Sequence, residues 1–314
     1  MKVVVTGGAG FIGANLCRRL LSCPEIRAVS VIDDLSTGSR ENLEGLDVEL
    51  VEASILEADA LDAVCTGADA LVHLAARGSV PRSLADPVRT HAVNVSGTVE
   101  VLEAARRAGG VHVIVASSSS VYGANPELPK REELVPMPVS PYAASKLAAE
   151  AYALAYQRSF GLPVLAFRFF NVFGPLQPAG HDYAAVIPTF VDAALAGRPL
   201  PVHGDGRQSR DFTYVGTVTE VLTEALLRRV TSEGPVNLAF GSRIDLLTVI
   251  GFIEGVLGHR VEVDHQAPRP GDVRHSQADA GRLLELFPSV RAVEFEAGLR
   301  ATIDWFRSGR VPGG

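Results

Sequence analysis

The stretch "VVVTGGAGFIGANL" (3–16) constrains the fold of this chain more than any other. Three valines and a threonine, all β-branched, lead straight into glycines at 7, 8, 10 and 13, and a helix-compatible run follows. The spacing fits both G-x-G-x-x-G (8, 10, 13) and G-x-x-G-x-x-G (7, 10, 13). Glycine permits a tight turn, then close approach of a pyrophosphate to the backbone, then close packing of helix on strand. The helix N-terminus offers unpaired N–H groups and a partial positive charge to phosphates. Asp33 closes a second apolar run, twenty residues after Gly13. A carboxylate there can accept from both hydroxyls of an adenosine ribose. With Asp34 beside it, it would repel a 2′-phosphate, and the nearest following arginine is Arg40. The pattern therefore predicts a dinucleotide site that takes NAD rather than NADP. A ligand-free turn followed by a solvated acid pair would leave the order of strand, glycines, helix and acid unexplained.

Further apolar runs recur at 28–32, 48–51, 70–75, 111–116 and 163–170, with Ala/Leu-rich stretches of helical spacing between them. Strand–helix–strand repetition predicts an α/β fold, a Rossmann-like doubly wound parallel sheet. The near-continuous hydrophobicity of the strands suits a sheet covered on both faces. Beyond about residue 172 the texture turns loop-rich, with Pro and Gly clustered in 173–180, 196–208 and 267–272. The expected division is an NAD-binding domain over 1–171 and a smaller C-terminal α+β substrate domain over 172–314. A segment near 212–242 should return to the sheet.

Composition excludes several classes. Net charge is −7 and no long basic run exists, which argues against a nucleic-acid partner or an anionic membrane surface. No apolar run reaches the length of a membrane span. "MKVVVTGG" has too few apolar residues before its glycines for a secretory leader. Three cysteines without metal-ligand spacing suggest a reduced, cytoplasmic chain with no metal site.

The chain holds only three lysines, Lys2, Lys130 and Lys146, among 29 basic residues. Lys146 stands in "PYAASKLAAE" (141–150), four residues after Tyr142. Ser140 suits a helix N-cap and Pro141 the first turn, so Tyr142 and Lys146 should share one face near a helix start. An ammonium there would favour the phenolate and could also donate to a ribose hydroxyl. Alanines and leucines fill the rest of this helix, and "VEVLEAARRA" (99–108) is similar. Two such helices could pack against their copies as a four-helix bundle, which predicts a homodimer.

"TGGAGFIG", "HLAARGSVPRS", "ASSSSVYG", "SPYAASK" and "RFFNVFGP" follow one another in this order, and "HGDGRQSRDFTYV" and "PRPGD" come after them. The series resembles the extended short-chain dehydrogenase/reductase family, specifically the nucleotide-sugar epimerases of the UDP-glucose 4-epimerase type. The likeness covers nearly the whole chain. It implies Tyr142 as catalytic base, Lys146 as its activator and nicotinamide-ribose ligand, and Ser118 as the hydroxyl bridging substrate and tyrosine. For the cofactor it implies Gly7, Gly10, Phe11, Ile12 and Gly13, then Asp33, Leu35, Ser36, Thr37 and Gly38. Further along it implies Ser54, Ile55, Leu74, Ala75, Ala76, Arg77, Asn94, Ser117 and Phe169. Many relatives carry aspartate where this chain has Ser54, a departure that weakens the adenine contact. For the substrate it implies Ser79, Val80, Ser119, Ser120, Asn171 and Val186. Arg210 and Arg269 would hold the diphosphate, a role suited to arginine's planar fork, with Asp272 and Ser276 nearby.

The resemblance implies chemistry at the sugar C4. Dehydrating and decarboxylating relatives carry Asp or Glu near "VYG"; this chain has Ser117–Ser120 there. Epimerisation is therefore expected. Serine at 276, where a tyrosine would exclude an N-acetyl group, points to UDP-GlcNAc/UDP-GalNAc, with UDP-Glc/UDP-Gal also open. UDP-glucuronate epimerisation, another dehydratase or reductase activity, and a non-catalytic NAD-binding regulator are the alternatives.

Overall fold

Each apolar run lies in a strand, and each Ala/Leu-rich stretch lies in a helix. The computed structural model describes residues 1–179, 184–267 and 274–309. β1 (Lys2–Thr6), α1 (Phe11–Leu21), β2 (Ala28–Asp33), β3 (Glu49–Glu52), α2 (Ala58–Cys65) and β4 (Ala70–His73) come first. Short helices α3 (Val80–Ala85) and α4 (Pro87–His91) lead through a π-turn at Ala92–Ser96 into α5 (Gly97–Arg107). Then follow β5 (His112–Ser118), α6 (Pro141–Phe160), β6 (Val164–Phe169), β7 (Asn171–Phe173), α7 (Val186–Leu195), β8 (Leu200–His203), β9 (Ser209–Arg210) and β10 (Phe212–Tyr214). α8 (Val215–Arg228), β11 (Val236–Leu238), β12 (Ile244–Asp245), α9 (Leu246–Leu257), β13 (Val263–Gln266), α10 (Gly281–Leu286) and α11 (Phe295–Arg307) complete the chain.

Seven strands form one sheet in the order β11-β6-β5-β4-β1-β2-β3, every neighbouring pair parallel. The chain winds from β1 outward to β3, then crosses back to β4 on the other side of β1. That reversal opens a crevice beyond the carboxyl ends of β1 and β4. Alternate residues of each strand point to opposite faces. Val3, Val5, Val29 and Val31 pack with Leu16 and Leu20 of α1 and Val218 and Leu222 of α8. Val4, Ile32, Leu71 and Val113 pack with Leu61 of α2, Leu102 of α5 and Ala153 of α6. Both faces are covered, so the sheet is the doubly wound one expected.

A second body is built around α7, α9 and α11, whose Phe190, Val249, Ile253, Leu299 and Ile303 share a core with Leu200 and Val202 of β8. Its strands pair two by two: β7 with β10, β8 with β13, and β9 with β12. Rings of Phe173, Phe212 and Phe295 cluster with centroids 5.1–6.1 Å apart. α8 packs on α1, β11 pairs with β6, and Leu283, Phe287 and Val290 join the core under the sheet.

Along α6 the buried line contains Ser145, Lys146 and Glu150, whereas in the single chain Ala144, Ala151 and Ala155 are exposed and Tyr152 is 44% exposed. Ser145 and Glu150 find hydrogen-bond partners inside the protein, and small alanines give up little by staying exposed.

The aromatic contact between Phe167 of β6 and Phe287, centroids 6.0 Å apart, ties the C-terminal segment to the sheet. Phe287→Ala should cost about 3–5 kcal/mol in urea unfolding, since both rings are fully buried. Combined with Phe167→Ala, the loss should be less than additive, because the two share one contact.

Candidate active site

A cavity of about 880 Å³ opens at the carboxyl ends of β1, β2, β4, β5 and β6. At one end lies the glycine turn. Gly7 has φ +71°, and a Cβ there would meet Ala75 N at 2.7 Å. A Cβ on Gly13 would lie 2.2 Å from the Gly7 carbonyl oxygen. α1 can start this close to β1 only because both positions are glycine. Its N-cap, Gly10, has no side chain to cap the helix, and no acid stands in the first turn. The first-turn N–H groups of Phe11 and Ile12, which line the cavity, are thus left for a ligand.

Asp33 is buried beside this turn. Its carboxylate accepts from Ala9 N and Leu35 N, both at 2.9 Å. Burial raises its pKa, and these two bonds pull it back. Each oxygen keeps a lone pair for a further donor, as a ribose diol requires. Ser36, Thr37, Ser54 and Ile55 line the same end. Ser54 Oγ already accepts from Leu56 N at 3.2 Å, which leaves its O–H to donate. Leu35 and Gly38 do not line the cavity, contrary to expectation. Leu35 packs against the sheet core at φ +55°, and Gly38 lies tight against the Ala9 backbone.

The middle wall is Leu74, Ala75, Ala76 and Arg77, after β4. A buried chain of hydrogen bonds stands behind it. Thr98 Oγ1 donates to Asn94 O at 2.6 Å, so it can only accept from His73 Nε2 at 3.0 Å. His73 Nδ1 therefore accepts from Thr6 Oγ1 at 2.7 Å, and Thr6 accepts from Ala75 N at 3.2 Å. Burial holds this imidazole neutral, with its pKa lowered to about 3 and the nearby Lys146 charge adding to the effect. Asn94 is also corrected: it sits behind the wall, not in it. Its Oδ1 accepts from Arg77 N at 2.7 Å, and its Nδ2 donates to Ser145 Oγ at 2.9 Å. The π-turn at Ala92–Ser96 presents it, an irregularity common near functional sites.

At the far end Ser117, Ser118, Ser119, Tyr142, Lys146, Phe169 and Asn171 converge. Ser140 Oγ accepts from Ala143 N at 3.1 Å and starts α6 where the capping pattern requires. Lys146 is 7% exposed and has no hydrogen-bond partner among the described residues. Burial lowers its pKa to about 8. The expected lowering of the tyrosine's pKa by this ammonium is not what the structure has. Burial raises the phenol's pKa, and what pulls it back is the Ser118 hydroxyl. Ser118 Oγ accepts from Ser120 N at 3.2 Å and Ser120 Oγ at 2.9 Å. With both lone pairs engaged, its own O–H is left to donate.

Ser79 lines the cavity and caps α3, whereas Val80, Ser120 and Val186 do not line it. Ser120 instead holds Ser118, and Val186 packs into the second core. Arg210 on β9 donates from Nη1 to Ser209 O at 2.9 Å and to Arg274 O at 3.3 Å. Ser276 N donates to Ser209 O at 3.0 Å, so Arg210 and Ser276 are neighbours, and neither lines the cavity. Arg269 and Asp272 lie outside the described residues. Sequence reasoning missed Arg82, Arg89 and Gln177 in the wall. Gln177 Oε1 is buried without a partner among the described residues. "GPLQ" was legible, but only the packed loop shows which way the glutamine is held.

The family model for the NAD dependent epimerase/dehydratase family matches residues 3–239. A curated relative, the UDP-glucose 4-epimerase of Mycolicibacterium smegmatis, is 36% identical over 98% of this chain and 99% of its own. The UDP-N-acetylglucosamine 4-epimerase from Methanobrevibacter ruminantium M1, solved in complex with UDP-N-acetylmuramic acid, superposes with a TM-score of 0.92. It is 37% identical, with 98% of each chain covered. A dTDP-glucose 4,6-dehydratase from Streptomyces venezuelae, solved with NAD and TYD bound, gives a TM-score of 0.89 at 33% identity, covering 99% of this chain and 98% of that one.

The buried ammonium can be read directly, because the chain has only three lysines. With lysine labelled at ¹³Cε, one of three resonances should titrate with a midpoint near 8. That resonance should vanish in Lys146→Met; if it titrates near the ordinary value of about 10.4, the ammonium is solvated.

Proposed function

The chain belongs to the NAD dependent epimerase/dehydratase family, and from that premise we propose that it inverts the C4 hydroxyl of a UDP-sugar. NAD, as the family's cofactor, supplies a place for the C4 hydride to go and to return from. The residues fit that group: a capless helix start for the pyrophosphate, Asp33 for the adenosine ribose, and a buried, unpartnered Lys146 for the second ribose. Tyr142, as phenolate, takes the proton from the C4 hydroxyl and becomes the neutral phenol; Ser118 donates to the phenolate before that transfer. Arg210, with Arg269, keeps the diphosphate tethered while the 4-keto sugar turns over.

The observation that carries epimerisation over 4,6-dehydration concerns acids. Dehydration needs a proton donor for the leaving C6 hydroxyl. Among the described residues the only carboxylates lining the cavity are Asp33 and Asp34, at the end of β2 and not beside Tyr142. For the substrate, serine at 276 supports UDP-GlcNAc/UDP-GalNAc, with UDP-Glc/UDP-Gal as further substrates. A second reading, UDP-glucuronate, is favoured by Arg82 and Arg89 in the cavity wall, since guanidinium groups suit a carboxylate. The active form we propose is a homodimer through α5 and α6. Exposed Tyr152 and Phe160 on α6 and Val88, 78% exposed, on α4 support it.

A panel of UDP-GlcNAc, UDP-Glc, UDP-glucuronate and dTDP-glucose, followed for 4-epimers by NMR, tests the reading. UDP-GlcNAc should be converted; turnover of UDP-Glc alone would remove the argument from Ser276. A 4-keto-6-deoxy product would make the enzyme a dehydratase. Tyr142→Phe should lose about 10²–10⁴-fold in kcat while still binding NAD. Lys146→Arg, with charge kept but a bulkier fork, should also lose most activity.

A further inference from the structure

Beneath the serines of β5 lies a buried ion pair that the reaction as described does not use. Glu150 stands on α6, one turn beyond Lys146 and two beyond Tyr142; Arg168 stands on β6. Arg168 Nε donates to Glu150 Oε2 at 3.0 Å and Nη2 to Oε1 at 2.7 Å, with the side chains 3% and 4% exposed. The pair is enclosed. Arg168 Nη1 donates to Glu132 O at 3.2 Å, and the guanidinium covers the Tyr122 ring at 4.7 Å. Tyr122 in turn donates to Asn237 Oδ1 at 2.7 Å, and Asn237 N donates to Glu132 Oε1 at 2.8 Å.

Two charges taken out of water are expensive, and an apolar pair of similar volume would hold these elements at least as well. A forked, bidentate contact adds direction and register, which an apolar pair does not. The carboxylate spends its remaining capacity on one more group: Ser117 Oγ donates to Oε2 at 2.7 Å. Ser117 precedes Ser118, and both reach α6 from the end of β5, one to Glu150 and the other to Tyr142. The elements tied together are those that carry Tyr142, Lys146 and Ser118, plus the strand leading to Asn171.

We propose that the Glu150–Arg168 pair is a positioning device, which holds Ser117 so that the Ser118 hydroxyl stays aimed at the phenol of Tyr142. It thereby sets how readily the tyrosine releases its proton. The proposal rests on Tyr142 being the base, so the test has one arm that needs no turnover.

Two variants are compared with wild type. Ser117→Ala removes one donor and leaves the ion pair intact. Glu150→Leu/Arg168→Leu removes both charges and leaves neither one buried alone. With tyrosine labelled at ¹³Cζ, and the resonance assigned through Tyr142→Phe among the six tyrosines, the Tyr142 chemical shift at neutral pH reports its hydrogen bond. Both variants should move that resonance while the melting temperature stays near wild type in Ser117→Ala. In turnover, kcat should fall about 10- to 100-fold with KM within about threefold. The acid limb of the kcat profile should move to higher pH, because the phenolate has lost a donor. An unmoved Tyr142 resonance in Ser117→Ala overturns the proposal, whether or not the double variant folds. So does a double variant that is folded, fully active and has an unshifted pH profile, since the pair is then structural only. Absence of wild-type turnover on every nucleotide sugar would count against the proposed reaction, while the resonance would still decide the role of the pair.

Discussion

Everything at the cofactor end depends on how closely α1 can begin to β1. The Gly13 position lies so near the Gly7 carbonyl that even a methyl group would overlap it. That approach places the first-turn N–H groups of α1 at the carboxyl edge of the sheet. The strand order then does the rest: with β1 between β2 and β4, the crevice opens where the winding reverses. Asp33 closes β2 on one side of it and the Ala75 loop closes β4 on the other, and each is hydrogen-bonded to the turn or to β1.

The site is electrostatically layered. Next to the cavity stand groups whose burial opposes charge: a phenol held above its usual pKa, an ammonium lowered to about 8, and behind them an imidazole lowered to about 3. One layer deeper, charge is kept but fully paired, in Glu150 and Arg168. Burial favours the neutral form of all three groups, and the neutral His73 adds no second cation beside Lys146. Ser118 is the link, with both acceptor sites occupied and only its proton to offer.

Much of this was legible in the chain itself. Runs of β-branched residues marked the strands, because a parallel sheet covered on both faces tolerates little else. Ser140, Pro141, Tyr142 and Lys146 marked the start and the cavity face of α6, because capping and i, i+4 contacts are local. The roles of Asn94, Ser117 and Ser120 were not legible. Each is a small polar residue whose partner lies on another element, and only packing decides whether it meets a ligand or another side chain. Arg82 and Arg89 escaped for a related reason: two short helices broken at Asp86 turn both toward the cavity, and no helical period predicts that.

By itself, then, the sequence determined the order of elements, the glycine turn, the acid that follows it and the tyrosine–lysine face. All of these follow from steric and hydrogen-bonding preferences within a few residues. Only the tertiary structure decided which hydroxyl governs the phenol and which charges are buried as a pair. It also decided that Ser117, although it lines the cavity, spends its hydroxyl on a carboxylate. These outcomes depend on desolvation and on partners 18 to 33 residues away in the chain, distances over which local preference carries no information.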